Sequence, residues 1–196
     1  MPRGRPRAFD TTAALDAALA VFWSKGYEGT TMADLSAAMN LKPGSIYAAF
    51  GSKEGLYQQV LDRYTSTVFT YTGEALARPT VRGVIEAWLR GAVDAATKEG
   101  TPAGCLLVHG ALVSGDGSEC ARQETAKRRA AGETLLRRRF EQAREDGSLP
   151  EDVEPYDLAK YISVLAQGIA VEAASGTPQD ELDAMIQVAL KRLPWE

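Results

Sequence analysis

The densest group of residues able to do chemistry lies in LKPGSIYAAFGSKEGLY, residues 41–57. A cation at Lys42, a bare backbone at Gly44 and hydroxyls at Ser45 and Tyr47 stand close together. These are donors suited to phosphate oxygens and base edges, not a nucleophile with its base. A second basic element opens the chain: Arg3, Arg5 and Arg7 all precede the first acid, Asp10. Gly4 and Pro6 keep that arm from becoming helix, and arginines on such an arm can enter a minor groove.

Other chemistries have less material. Cys105 and His109 stand four apart and would share a helix face, with Cys120 as a third ligand, but no four-ligand metal set is complete. His109 is the only histidine, which leaves most base-driven mechanisms without a base. No P-loop or dinucleotide fingerprint occurs, and Ser114 to Ser118 reads as turn chemistry. The chain is not expected to be an enzyme, and no cofactor or metal is implied. The runs Lys127-Arg128-Arg129 and Arg137-Arg138-Arg139 spread around a helix at about 100° per residue. With Glu124, Glu133 and Glu141 nearby, they predict a solvated, salt-bridged helix.

The elements that must position these residues are helices. Alternating strand patterns are absent, and helical periodicity is punctuated by breakers throughout. The length of 196 residues and 45% hydrophobic content suit a substantial core. The net charge of −4 leaves room for a locally basic nucleic-acid surface. No apolar run approaches the roughly 18 residues that span a bilayer, so a cytoplasmic protein with no membrane partner is expected. The expectation is all-α, with about nine helices. The first runs from Asp10 or Thr11 to Lys25-Gly26, the second from Met32 to Met39 behind a Thr31–Asp34 capping box. Asn40 is the C-cap of the second. Pro43 sits in the first turn of the third, where its missing N–H costs nothing. Gly51 stops the third, and Ser52 caps a fourth that reaches about Ala77. Further helices are expected near 80–98, 104–114, 118–146, 155–175 and 178–193.

Two short helices joined by a tight turn, with a third behind, make a helix-turn-helix. Its second member leads into the DNA major groove with its N-terminus, which favours phosphate. Leu35, Met39, Leu41, Ile46 and Phe50 are expected to turn inward. Lys42, Gly44, Ser45, Tyr47 and Ala48 are expected to face outward. Residues 9–57 resemble the DNA-binding domain of TetR-family transcriptional regulators, through Ala17 with Phe22, Gly26-Tyr27, Thr30-Thr31, Leu35, the Gly44 to Tyr47 run, Phe50, Ser52-Lys53-Glu54 and Leu56. The resemblance implies that Thr31 and Lys53 meet phosphate and that Lys42, Pro43, Gly44, Ser45, Tyr47 and Ala48 sit at the groove. Many relatives carry a bulky aromatic or His where this chain has Ala48 and Ala49. Alanine suits a thymine methyl, so base reading leans on few side chains and on DNA shape.

The resemblance further implies a head in residues 1–52 and a helical ligand-binding and dimerisation domain in residues 53–196. Two heads spaced roughly 34–36 Å apart read a palindromic operator. The expected homodimer surface uses Tyr161, Leu165, Gly168, Ile169 and Glu172 with Leu182, Met185, Ile186, Ala189 and Leu193. Small residues, including Ala166 and Ala170, would let the helices approach. The expected pocket uses Tyr64, Val68, Tyr71, Ile85, Trp88, Leu89, Cys105 and His109, which suits a small apolar or amphipathic effector. The function implied is a repressor released from operator DNA by such a ligand. One alternative is a regulator without a small-molecule inducer, switched by Cys105 oxidation or a protein partner. A more distant one is a helical small-molecule-binding protein or enzyme.

Overall fold

The computed structural model describes residues 9–112 and 119–193. Among them are ten α-helices and no strand: α1 Thr11–Gly29, α2 Met32–Met39, α3 Pro43–Phe50, α4 Lys53–Val68, α5 Tyr71–Leu76, α6 Val81–Thr97, α7 Leu106–Leu112, α8 Glu119–Glu145, α9 Pro155–Ala174 and α10 Gln179–Arg192. The helices expected after residue 80 fall within two residues of their observed limits wherever those limits are described. The arm with Arg3, Arg5 and Arg7, and the turn Ser114 to Ser118, lie outside the described residues.

The start signals act as the sequence suggests. The Asp10 carboxylate accepts from the backbone N–H groups of Thr12 and Ala13 at 2.8 and 3.3 Å, opening α1. Gly26 takes φ +70°, which ends the straight run and turns Tyr27 back onto the core. There Tyr27 stacks on Phe22 at 6.0 Å and lies 4.9 Å from Tyr57. The capping box of α2 is formed: the Thr31 N–H donates to Asp34 at 2.9 Å and the Asp34 N–H to the Thr31 hydroxyl at 3.1 Å.

One helix differs from expectation. The fourth does not reach Ala77; it stops at Val68, and Tyr71–Leu76 forms a separate helix. The cause lies in Thr65-Ser66-Thr67, whose hydroxyls donate back to the carbonyls of Leu61, Asp62, Arg63 and Tyr64. Such back-bonding weakens and bends a helix. The bend sets the Tyr71 ring flat against α6, where only glycine fits. A Cβ on Gly91 would lie 2.3 Å from that ring.

Two hydrophobic clusters result. One joins α1 to α4 around Phe22, Trp23, Leu35, Ile46 and Tyr57; the other joins α5, α6, α8, α9 and α10 around Trp88, Phe140, Ile162 and Ile186. The packing of the head does not stop at residue 52. Its cluster takes in Val60, Leu61 and Tyr64 of α4, Leu106 and Leu107 of α7 and Ala121 of α8.

The arginine runs on α8 differ from a purely solvated helix. Arg128 is only 16% exposed and clamps Asp62 of α4 at 2.6 Å and Glu124 at 2.5 Å. Arg139 donates to the carbonyls of Leu76, Arg78 and Pro79 after α5. Arg137 keeps the expected surface role, pairing with Glu141 at 3.3 Å. Carbonyls at helix ends and connections gave these long side chains partners that charge periodicity alone does not reveal.

Candidate nucleic-acid interface and cavity

The turn before α3 is built by Asn40, which takes the left-handed conformation (φ 50°, ψ 42°) that asparagine tolerates. This lets the Leu41 N–H reach back to the Ser36 carbonyl at 3.1 Å and closes α2. The chain then enters α3 at Pro43, with Lys42 as cap and no side chain capping the end. The N–H groups of Ser45 and Ile46 return to the Lys42 carbonyl. Ile46 and Phe50 are buried, while Lys42, Pro43, Gly44, Ser45, Tyr47 and Ala48 are exposed on the other side of the helix. Tyr47 is 48% exposed although it is a large aromatic. A Cβ on Gly44 would meet nothing within 4 Å, so the fold itself does not demand glycine there.

The flanking residues are more constrained. Thr31 is exposed, but its hydroxyl donates to Asp34 at 2.7 Å. Lys25, bonded to Asp34 at 2.6 Å, and the two Thr31 donors hold that carboxyl well below the usual range. The Lys53 ammonium lies 4.4 Å from the centre of the Tyr27 ring, and its pKa is lowered because burial disfavours its charge. Lys42 has no ion-pair partner among the described residues.

A second site lies among α4 to α9. It is a cavity of about 560 Å³, within the range that holds small ligands. Of the residues expected at an effector pocket, Tyr64, Val68, Tyr71, Trp88 and Cys105 line it. Ile85 and Leu89 do not: both are fully buried on the neighbouring stripe of α6, in the core shared with α8 to α10. His109 is also absent from the lining; its imidazole packs on Gly104, where a Cβ would fall 3.0 Å from Nε2. The Tyr64 hydroxyl accepts the Leu106 N–H at 3.3 Å. Burial pushes the Cys105 thiol up, so it is protonated at neutral pH.

The family comparisons join these two sites. Residues 14–60 match the model of bacterial regulatory proteins of the tetR family, and residues 77–188 that of the tetracyclin repressor-like C-terminal domain. The chain belongs to the TetR family. The HTH-type transcriptional repressor ComR of Escherichia coli is 31% identical over 195 residues, covering 98% of this chain and 92% of ComR. The repressor BdcR of the same organism is 35% identical over 109 residues, 55% of either chain. The solved structure of a cysteine mutant of the TetR family regulator CifR, complexed with a 26-base-pair double-strand operator, aligns with a TM-score of 0.92. It is 37% identical and covers 97% of this chain and 100% of that one. This TetR-family chain is thus a DNA-binding transcriptional regulator, and α2 and α3 are its helix-turn-helix.

Other expected positions need correction. Ile169, Leu182, Ile186 and Ala189 are buried inside this chain's own core and present nothing to a partner. Leu165, Met185 and Leu193 pack partly against that core. Tyr161, Gly168 and Glu172 are exposed. Ala166 and Ala170 line the cavity instead. The open apolar face of α9 and α10 includes Tyr161, Val164, Val171 and Val188, with Gly168 between Val164 and Val171. Tyr161, Val164, Gly168 and Val171 follow the i, i+3, i+7, i+10 spacing, so the exposed stripe keeps the expected Tyr161 and Gly168 and adds the two valines. Sequence reasoning also missed Arg129, Phe69 and Gln167 of the cavity. Arg129 was hidden inside a charge run, and Phe69 by the unforeseen bend after α4.

Proposed function

We propose that this regulator is a homodimeric repressor that reads a palindromic operator through α3 and is released when a small molecule enters the cavity. The observation that carries the reading is the division of α3 into a buried edge, Ile46 and Phe50, and an exposed edge of cation, bare backbone and hydroxyls. A helix N-terminus with Lys42 beside it attracts phosphate, and Ser45, Tyr47 and Ala48 can reach base edges or a thymine methyl. The room around Gly44 supports close approach of a DNA backbone. Thr31 marks the start of α2, but both its hydroxyl and its backbone N–H are committed to Asp34, so a phosphate contact there would come from the helix N-terminus and not from a free Thr31 donor. Lys53 remains a candidate phosphate contact, held in place over Tyr27. The arm of Arg3, Arg5 and Arg7 is proposed to enter the adjoining minor groove.

The exposed valines of α9 and α10 support a symmetric four-helix contact between subunits. Repression is supported by the named relatives, ComR and BdcR, both transcriptional repressors. Release is a population shift: a ligand preferring the wide-spaced state by about 3 kcal/mol weakens operator binding roughly 150-fold. The test is selection of bound sequences from random duplex DNA by the purified protein. The expected product is a palindrome whose half-sites stand about one helical turn apart. Recovery of no preferred sequence by folded protein at low salt overturns the reading.

A further inference from the structure

Within the run Lys127-Arg128-Arg129, Arg128 is ion-paired and Lys127 is exposed, which leaves Arg129 as the half-buried cation without a carboxylate among the described residues. It is half-buried, lines the cavity, and donates to the backbone carbonyl of Leu107. No carboxylate pairs with it among the described residues. The three acids of the lining are bonded to other cations: Asp62 and Glu124 to Arg128, and Glu133 to Lys160 at 2.6 Å. A guanidinium has five N–H donors, and one carbonyl leaves most of them unused. Burial lowers the pKa of Arg129, and the opposing pull of Cys105 and Tyr57 is the smaller effect; no carboxylate among the described residues adds to it. A cation withdrawn from water without a counter-ion is costly, so this end of the cavity favours an incoming anion.

The surroundings narrow the class of molecule. The guanidinium is anchored on the Leu107 carbonyl and acts on the Cys105 thiol, and that thiol in turn neighbours the phenols of Tyr64 and Tyr71. Burial keeps these three groups protonated, so none competes as a negative charge. The Tyr71 hydroxyl makes no hydrogen bond among the described residues and can donate to a second oxygen. The wall also carries the exposed Lys127 and polar side chains such as Gln167; its apolar and aromatic part includes Val68, Phe69, Trp88, Ala92 and Ala170. We propose that the cavity takes an aromatic carboxylate whose acid group pairs with Arg129 and whose ring lies against Phe69 and Trp88. This rests on the reading of the cavity as an effector site and specifies the effector's chemistry.

The experiment is isothermal titration of the full-length protein with 2-naphthoate and with its uncharged isostere 2-naphthamide. The wild type is expected to prefer the carboxylate by roughly tenfold to a hundredfold, the range of a charge-assisted hydrogen bond. Arg129→Met should remove that preference, bringing the carboxylate's affinity down to or below the amide's, and Arg129→Lys should restore part of it. Thermal melting checks that each variant is folded; if Arg129→Met is not, the wild-type pair with Arg129→Lys decides. Equal binding of the two compounds to the wild type, or a preference that survives in Arg129→Met, overturns the assignment. Failure of the wild type to bind either compound also overturns it, and removes support from the effector reading as well. Operator release is measured separately. Arg129-dependent binding of 2-naphthoate without release sustains the carboxylate site and refutes the release mechanism.

Discussion

Lys42→Ala gives the sharpest test of the head. The side chain is exposed, caps nothing and has no ion-pair partner among the described residues, so its loss should leave stability within about 0.5 kcal/mol. Its effect should appear only on DNA. Each phosphate neutralised contributes about 0.9 to the slope of log affinity against log salt. A homodimer on a palindrome places two copies of Lys42, so the substitution should lower the slope by about 1.8. Between 50 and 200 mM salt, a fourfold change, the wild type should lose about twelvefold more affinity than the variant. The assay is fluorescence anisotropy of a labelled selected operator titrated at several KCl concentrations. The loss should be the same on strong and weak operator variants, because phosphate contacts carry no base information. An unchanged slope would show that Lys42 does not reach phosphate. A change near 0.9 would mean that only one head is engaged, against the symmetric reading.

Gly44→Ala should leave the melting temperature unchanged or slightly higher, since nothing lies within 4 Å of the new methyl and alanine favours helix. Operator affinity should nevertheless fall; retained affinity would show that DNA does not approach there. Val171→Asp should yield a folded monomer by light scattering, with operator binding weakened, whereas a dimer that persists would place the interface elsewhere. Ile186→Ala, fully buried in the subunit core, should cost about 2–5 kcal/mol in chemical denaturation; a near-neutral result would contradict its place there. At pH 7.5 a disulfide reagent should titrate the exposed Cys120 quickly and Cys105 only after unfolding. Because folding raises the Cys105 pKa, its stabilising contribution is complete below the ordinary thiol pKa and is lost as pH climbs through the folded value. Rapid reaction of both thiols in the folded protein would revive a redox switch at Cys105.

The head was legible because its signals are local. Asp10, the Thr31–Asp34 box, Asn40, Pro43 and Ser52 each act on residues within one turn, and each is found at its cap. The inward and outward edges of α3 follow from helical periodicity alone. The cavity was only half legible because it depends on long-range packing. Leu89 is one position from Trp88 on α6 and Ile85 three, rotations of about 100° and 60° around the helix, and both turn into the core. The same small-residue pattern on α9 suits a subunit contact or a cavity wall, and only the packing of α6 and α8 assigns Ala166 and Ala170 to the wall. The bend after Val68 was written in Thr65-Ser66-Thr67, but the helical periodicity around it masked the signal.

Tyr64 is the residue through which cavity and head share a physical boundary. It lines the cavity, accepts the Leu106 N–H of α7, and meets Trp23 of α1 edge-on at 4.9 Å. Trp23 belongs to the same cluster as Phe22, Tyr27 and Tyr57, and Arg63 ties α4 to Asp16 of α1 through two bonds of 2.8 and 3.0 Å. The helices α1 to α4 are therefore packed to move together. On the other side, Arg128 links α4 to α8 through Asp62. A ligand that wedges between Tyr64 and α8 cannot be accommodated by the head's own packed core, which resists deformation. It is accommodated most cheaply by displacing α4 with its head. Under the proposed release mechanism, a small rotation at the cavity would be carried to α3 at the far end of that unit and would change the spacing between the heads of the proposed dimer. Tyr64→Ala should separate the two effects. It deletes the shared ring, so ligand binding in the cavity should persist in altered form while its coupling to operator release falls toward zero. Full coupling in a folded Tyr64→Ala protein would assign the transmission to α7 or to the subunit interface instead.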